Sequence, residues 1–373
     1  MQIDTVLVKV ASRCNINCTY CYIYNMGDEG WRDMPNLISK ATIKDLARSL
    51  AQLIKDQDSP FATVLHGGEP LMLGARRFQY LLTELRGVLP LEYPISLQTN
   101  GILITDEILN LCSQHRVSVS VSIDGPQAIN DKFRVDKQGR GTYQKVVDGI
   151  TLLKNHSDSE FLYAGLLSVI DPSSDPEAVY NCLKRLGTKS IDFLYRDGNH
   201  TNLPYGKDSL ISTEYGEWLA KLLDIYIADR EPVKIRFLDD ILRIALGGFG
   251  VKEGLGDNFY GIAIIETDGS LSKNDTLKSN FDGADKFDKK WIIKTDRLSE
   301  AFNTSSFEEY YKLQRPTSSK CNSCEYLTIC GGGMPLHRWS RENAYDNPSV
   351  YCSDQKLLIS KAIFILNEKG MLR

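Results

Sequence analysis

Arg13-Cys14-Asn15-Ile16-Asn17-Cys18-Thr19-Tyr20-Cys21-Tyr22 is the stretch on which the reading of this chain turns. Three residues separate its first two cysteines and two separate the last two. A 4Fe–4S cluster normally takes four thiolates, so three on one short loop leave one iron open to a small molecule. Zinc is the competing occupant, but zinc favours paired Cys-x-x-Cys knuckles that supply four ligands. Immediately before the loop, Val6 to Val10 reads as an apolar strand. A strand that delivers a ligand-bearing loop from its end is the working unit of parallel α/β barrels.

Outward from this loop, strand-like and helix-like stretches alternate. Thr42 is placed to cap a helix in which Ile43, Leu46, Leu50, Leu53 and Ile54 share one face. Ala62 to His66 reads as a second strand, and Phe78, Leu81, Leu82 and Leu85 mark the next helix. Ile95 to Thr99 is a third strand. In the fourth, Val117, Val119, Val121 and Ile123 alternate with Ser118, Ser120 and Ser122, so one face is apolar and the other hydroxylated. In a helix-wrapped barrel the serine face lines a wet lumen. A helix from Val146 to Leu153, a strand near Phe161 to Ile170, a helix near Pro176 to Leu186 and a strand near Ile191 to Tyr195 follow. The pattern predicts an α/β protein: an open six-unit (βα)6 partial barrel over residues 1–200. A bridging helical and loop region follows over 201–255, helical from Ile235 to Gly248, and then a loop-rich cysteine-bearing domain over 256–373.

The composition excludes several classes. A formal net charge of -4 over 373 residues gives no polycationic surface for nucleic acid. No apolar run is long enough to span a bilayer, and Met1-Gln2-Ile3-Asp4-Thr5 lacks a signal-peptide pattern. The first strand starts so early that no separate leader-binding domain is expected ahead of it. Nine cysteines in such a chain point to a reducing, cytoplasmic setting with metal-centre thiolates. Cys112 and Cys182 lie in apolar helical stretches and read as core.

Further motifs recur where strands meet loops. His66-Gly67-Gly68-Glu69-Pro70 ends the second strand, Gln98-Thr99-Asn100-Gly101 the third and Ser122-Ile123-Asp124-Gly125-Pro126 the fourth, with Asp131 and Arg134 just beyond. Turn chemistry explains the glycines one by one, but not their recurrence at successive strand ends. Near the C-terminus, Cys321-Asn322-Ser323-Cys324, Cys330-Gly331-Gly332-Gly333-Met334 and Cys352 supply four thiolates. They suit a fully ligated 4Fe–4S cluster or a zinc, and spacing alone does not separate the two.

These motifs together resemble the radical S-adenosylmethionine (SAM) superfamily. The resemblance implies that Cys14, Cys18 and Cys21 hold a cluster whose open iron takes SAM. It further implies that Tyr20, Gly67, Gly68, Glu69, Pro70, Gln98, Asn100, Ser122, Asp124 and Arg134 surround that SAM, with Ser122 and Arg134 facing its carboxylate. The tail resembles the SPASM extension of peptide-modifying members, with Cys321, Cys324, Cys330 and Cys352 holding one auxiliary 4Fe–4S cluster. Full SPASM domains carry seven cysteines and two clusters. Here Met334 and Asp275 stand at positions where cysteine is usual, and no cysteine lies between Cys182 and Cys321. Lys9 to Cys14, Tyr22 to Asp28, Glu266 to Leu277, Gly331 to Trp339 and Asn347 to Cys352 resemble maturases that form three-residue cyclophanes in ribosomal peptides. That resemblance implies a precursor-peptide substrate and an external flavodoxin or ferredoxin as donor. It also implies a bond between an aromatic carbon and a β-carbon, with a base to take the ring proton. Asp275 is the first candidate for the base, and Asp197 and His200 are alternatives. Sulfatase-type formylglycine formation, thioether formation and epimerisation use the same machinery and stand as alternatives. An iron–sulfur electron carrier is the reading from another class.

Overall fold

Short apolar runs and amphipathic stretches set the elements of the computed structural model, which describes residues 2–372. The first half runs β1 (Thr5–Ala11), α1 (Lys40–Asp56), β2 (Ala62–Gly67), α2 (Gly74–Arg86), β3 (Ile95–Thr99), α3 (Asp106–Gln114) and β4 (Val117–Ser122). Then come α4 (Gln127–Phe133), α5 (Tyr143–Asn155), the single turn α6 (Ser159–Leu162), β5 (Tyr163–Val169), α7 (Pro176–Arg185) and β6 (Ser190–Leu194). The second half adds α8 (Glu214–Ala228), β7 (Lys234–Ile235), α9 (Arg236–Ala245), β8 (Ile262–Ile265) and β9 (Leu271–Ser272). Short helices α10 (Leu298–Ala301), α11 (Ser305–Lys312), α12 (Ser319–Asn322) and α13 (Leu327–Cys330) lead to the long α14 (Cys352–Glu368). Strands β1 to β6 alternate with helices, the α/β partial-barrel topology that the sequence predicts.

Two compact units share the chain. The first is the segment up to Ile123, with 130–165 and 260–311; the second is 124–129, 166–259 and the segment from Lys312 onward. These boundaries differ from the sequential division at 200 and 255, because β8 pairs in parallel with β1, Thr5 opposite Ile262. Residues 260–311 therefore return to the first unit. Its strand order is β4-β3-β2-β1-β8-β9, parallel except for the β8–β9 pair. Val117, Val119 and Val121 are fully buried while Ser118, Ser120 and Ser122 are half-buried, as the alternation requires. In the second unit β5 pairs with β6, Leu166 opposite Ile191, and β6 with β7.

Helix α1 buries Ile43, Leu46, Leu50 and Leu53, each contributing about 1.5–3 kcal/mol by burial. Its cap is Ser39, whose hydroxyl accepts from the Thr42 amide at 3.0 Å. Thr42, the expected cap, sits one turn inside. In the second unit α14 packs on α8 and α9. Gly216 permits the close approach, since a Cβ there would lie 2.7 Å from the Asp354 Cα. Asp354 accepts from Lys207 at 2.6 Å, with both side chains fully buried. Cys112 and Cys182 are buried on α3 and α7, as predicted. Among the described residues, no helix is long and apolar enough to cross a membrane.

Candidate functional site

The cysteine loop in the first unit is held from three sides. Its amides at Asn17 and Thr19 donate to the carbonyls of Val135 (2.8 Å) and Phe133 (2.9 Å). The Asn25 side chain donates to the Cys18 carbonyl at 2.8 Å. The Gly67-Gly68 pair supplies the third anchor: the Gly68 amide donates to Ala11 and the Glu69 amide to Arg13. A Cβ on Gly68 would lie 2.1 Å from the Tyr24 hydroxyl and 2.4 Å from the Arg13 carbonyl. The glycines thus admit the chain's own loop, the one carrying Cys14, against the end of β2.

Glu69 is fully buried. Its Oε1 accepts from Thr99 (2.7 Å) and the Leu71 amide (3.0 Å), and its Oε2 from the Asn100 amide (2.8 Å). It braces the end of β2 to the end of β3. The Asn100 amide group donates to Asn15 at 2.7 Å and lies 3.7 Å from the Cys14 sulfur. Gln98 donates to Ser122 at 2.9 Å across the half-buried face of β3 and β4. Arg134, 5% exposed, donates to the Tyr20 hydroxyl at 2.9 Å. Tyr20, Gly67, Gly68, Glu69, Gln98, Asn100, Ser122 and Arg134 all fall in this unit with the cysteine triad. Pro70 opens the short 3-10 turn after Glu69. Asp124 belongs to the second unit, where its carboxylate accepts from the Val169 amide at 3.0 Å.

A buried ionic group lies on the same unit, and strand register explains it. Lys9 on β1 is paired with His66 on β2, and Glu266 directly follows Ile265, which pairs with Val8. Lys9 Nζ donates to Glu266 at 2.9 Å and to Asp275 Oδ1 at 2.5 Å. Lys278 Nζ reaches Asp285 (3.0 Å), Glu266 (3.2 Å) and Asp275 (3.5 Å). Burial pushes the Asp275 carboxyl up, but Lys9 and Lys278 outweigh it and hold it below the ordinary carboxylate range. Asp275 Oδ2 and His66 Nδ1 are buried without a hydrogen-bond partner. Burial lowers the His66 pKa, so its ring is neutral. The charge of Asp275 is felt by Tyr24, which also feels Cys14 and Cys21. Tyr24 thus lies between the triad and Asp275, and Asp275 in turn bears on His66. Tyr24 and His66 carried no role in the sequence reading. Lys9 was legible as a charge set among Val6, Val8 and Val10.

The other two base candidates lie in the second unit. Burial pushes the Asp197 carboxyl up to about 7, against a weaker opposing effect of Arg196. The His200 ring Nε2–H donates to the Pro348 carbonyl at 2.7 Å and the His200 amide to Trp339. That ties the imidazole to the backbone through Nε2.

The donor sets fit iron–sulfur centres. Burial raises the Cys14 thiol to about 12, so a thiolate there needs the compensating charge of a metal centre. In the second unit Cys321, Cys324, Cys330 and Cys352 converge, each within the field of the others. Burial raises Cys330 to about 12. Among the described residues, the one group of three His, Cys, Asp or Glu ligand atoms within 4.8 Å of each other is Glu266, Asp275 and Asp285. The acidic trio already holds the ammonium groups of Lys9 and Lys278.

Residues 8–171 match the Radical SAM superfamily. The cysteine-type anaerobic sulfatase-maturating enzyme of Clostridium perfringens is 27% identical over 371 residues, covering 94% of each chain. The serine-type anaerobic sulfatase-maturating enzyme of Bacteroides thetaiotaomicron is 25% identical over 359 residues, covering 90% of this chain and 83% of the relative. A solved structure, native anSMEcpe with bound AdoMet and Cp18Cys peptide, covers 98% of each chain at 23% identity. Its TM-score of 0.81 is a likeness of fold.

Proposed function

We propose that this chain, whose residues 8–171 match the Radical SAM superfamily, acts as a radical SAM enzyme that matures a protein or peptide by oxidising a cysteine or serine side chain to formylglycine. The observation that carries this reading is end-to-end similarity, over 94% of both chains, to a relative named for cysteine-type sulfatase maturation. It replaces the cyclophane expectation, since neither curated relative is named for joining an aromatic carbon to a β-carbon.

SAM and 4Fe–4S clusters are the cofactors; when bound at Cys14, Cys18 and Cys21 they supply the 5′-deoxyadenosyl radical that takes hydrogen from carbon, and a cluster at Cys321, Cys324, Cys330 and Cys352 supplies a one-electron acceptor. In total the substrate Cβ–SH or Cβ–OH group loses a hydrogen atom, a proton and an electron, leaving a C=S or C=O double bond. For cysteine, water then replaces sulfur, releasing hydrogen sulfide and leaving the aldehyde. An external flavodoxin or ferredoxin supplies the electron that starts each turnover.

The residues of the chain hold and deprotonate the substrate. Neutral His66 offers Nδ1 to the substrate thiol or hydroxyl. Asp275, kept ionised by Lys9 and Lys278, offers the unpaired Oδ2 as the proton acceptor. Glu69 and Asn100 lock the floor around Cys14, and Arg134 presents a fork suited to a carboxylate.

Reconstituted enzyme, SAM and a strong reductant are incubated with peptides containing cysteine or serine. The expected outcome is 5′-deoxyadenosine together with a peptide aldehyde that reacts with a hydrazide probe. Loss of two hydrogens from an aromatic-containing peptide, with no aldehyde, would return the reading to cyclophane formation.

A further inference from the structure

Arg338 is the largest fully buried side chain of the chain, with no exposed surface. It follows Pro335, Leu336 and His337 in the short turn after the glycine run. One terminal nitrogen donates to the Arg315 carbonyl at 3.0 Å and the other to the Leu313 carbonyl. Its Nε is buried without a partner. Burial lowers its pKa to about 10, which leaves it cationic at neutral pH. The charges that bear on it are those of Cys321 and Cys330 first, then Tyr345, all favouring the cation, and of Arg315, which opposes it. None of these is a carboxylate. A desolvated guanidinium without a counter-ion is costly, so its environment must supply an anion.

A side-chain amide meets one of these sulfurs directly. Gln355, 3% exposed, lies on α14 one turn after Cys352. Its side-chain oxygen is 2.7 Å from the Cys330 sulfur, accepting from the thiol. Once Cys330 is a thiolate it can only accept, and a half-turn of the amide presents N–H instead.

A cubane held by four thiolates is anionic, and reduction makes it more so. Fixed cations and N–H donors at its sulfurs favour the reduced form. We propose that Arg338 is the buried counter-cation of an auxiliary cluster held by Cys321, Cys324, Cys330 and Cys352, and that with Gln355 it raises that cluster's reduction potential. This rests on the reading that the quartet holds a cluster, and it deepens it. The centre becomes an acceptor poised for the substrate's electron, tuned by two positioning residues.

The test is an anaerobic redox titration of the reconstituted holoenzyme followed by electron paramagnetic resonance, with iron and sulfide counted per chain. The triad cluster is identified by the change in its signal on adding SAM. Arg338→Met and Gln355→Leu are expected to move the auxiliary midpoint to more negative potential, Arg338→Lys by less, with the triad midpoint unmoved. Should Arg338→Met fail to retain iron, Arg338→Lys and Gln355→Leu carry the comparison. An auxiliary midpoint unmoved in iron-replete Gln355→Leu and Arg338 variants overturns the proposal. Wild-type enzyme holding the iron of a single cluster overturns the reading beneath it instead.

Discussion

At the scale of single residues, the charge of the proposed base Asp275 is set by its neighbours. Lys9 and Lys278 hold it below the ordinary carboxylate range, so it is ionised across the working pH range, a free but weakened acceptor. If Asp275 is the base, product formation falls only as pH drops below that range. Were Asp197 the base, with a pKa of about 7, product would already fall as pH drops through neutrality. The pH profile of product yield, normalised to 5′-deoxyadenosine, separates the two. Asp275→Asn is expected to keep SAM cleavage and to cut product by about 10²–10⁴-fold, the usual worth of a general base. Wild-type product yield from that variant would remove Asp275 from the mechanism. Lys9→Met breaks a buried ion pair and should cost about 3–5 kcal/mol of stability in denaturant melts. In the surviving enzyme the acid limb moves upward. Of this site, the cysteines stand out by residue type and spacing, whereas Asp275 comes only through the family resemblance. The assembly was not legible, because Lys9 and Asp275 stand 266 positions apart and meet only through the β1–β8 register.

At the scale of elements, chain geometry explains which residues tolerate change. Gly68→Ala places a Cβ against the Arg13 carbonyl, a backbone atom beside Cys14, and against Tyr24. Neither can retreat without moving the cysteine loop. Reconstituted Gly68→Ala should therefore lose the iron of the triad and form no 5′-deoxyadenosine, while far-ultraviolet circular dichroism stays native. Ser39→Ala removes the α1 cap and should cost about 1 kcal/mol, with cluster content unchanged. The strands were the most legible elements, and β2, β3 and β4 carry a strict period of two. Helix α14 lies in a part of the chain that the sequence marks only as loop-rich. Its apolar residues do not form one stripe: Leu358, Ile359, Ala362 and Leu366 are buried, yet Phe364 is 61% exposed. Its first residue is also a ligand candidate, Cys352, which draws attention to the thiol rather than to the helix it starts. The cap was misplaced for a smaller reason, since Ser39 and Thr42 are both cap-forming residues and only the backbone shows which of them precedes the first turn.

At the scale of the whole molecule, chemistry is divided between two compact units interleaved along the sequence. The first carries the triad, His66 and Asp275; the second carries the quartet, Arg338 and Gln355. Sequence order suggested consecutive domains, and strand pairing by β8 is what returns residues 260–311 to the first unit. The division predicts separable defects. Cys14→Ala removes a triad ligand and should abolish 5′-deoxyadenosine entirely. Cys330→Ala removes a quartet ligand whose sulfur faces Gln355, far in sequence from the triad. It should lower the iron count by one cluster, leave SAM cleavage within about tenfold of wild type, and stop aldehyde formation. Deoxyadenosine then accumulates without product, because the substrate radical has nowhere to leave its electron. A simple electron carrier would show neither behaviour, having no SAM to cleave. If Cys330→Ala cleaved SAM and still formed aldehyde at the wild-type ratio, the quartet would be a structural staple, and the substrate's electron would leave by another route.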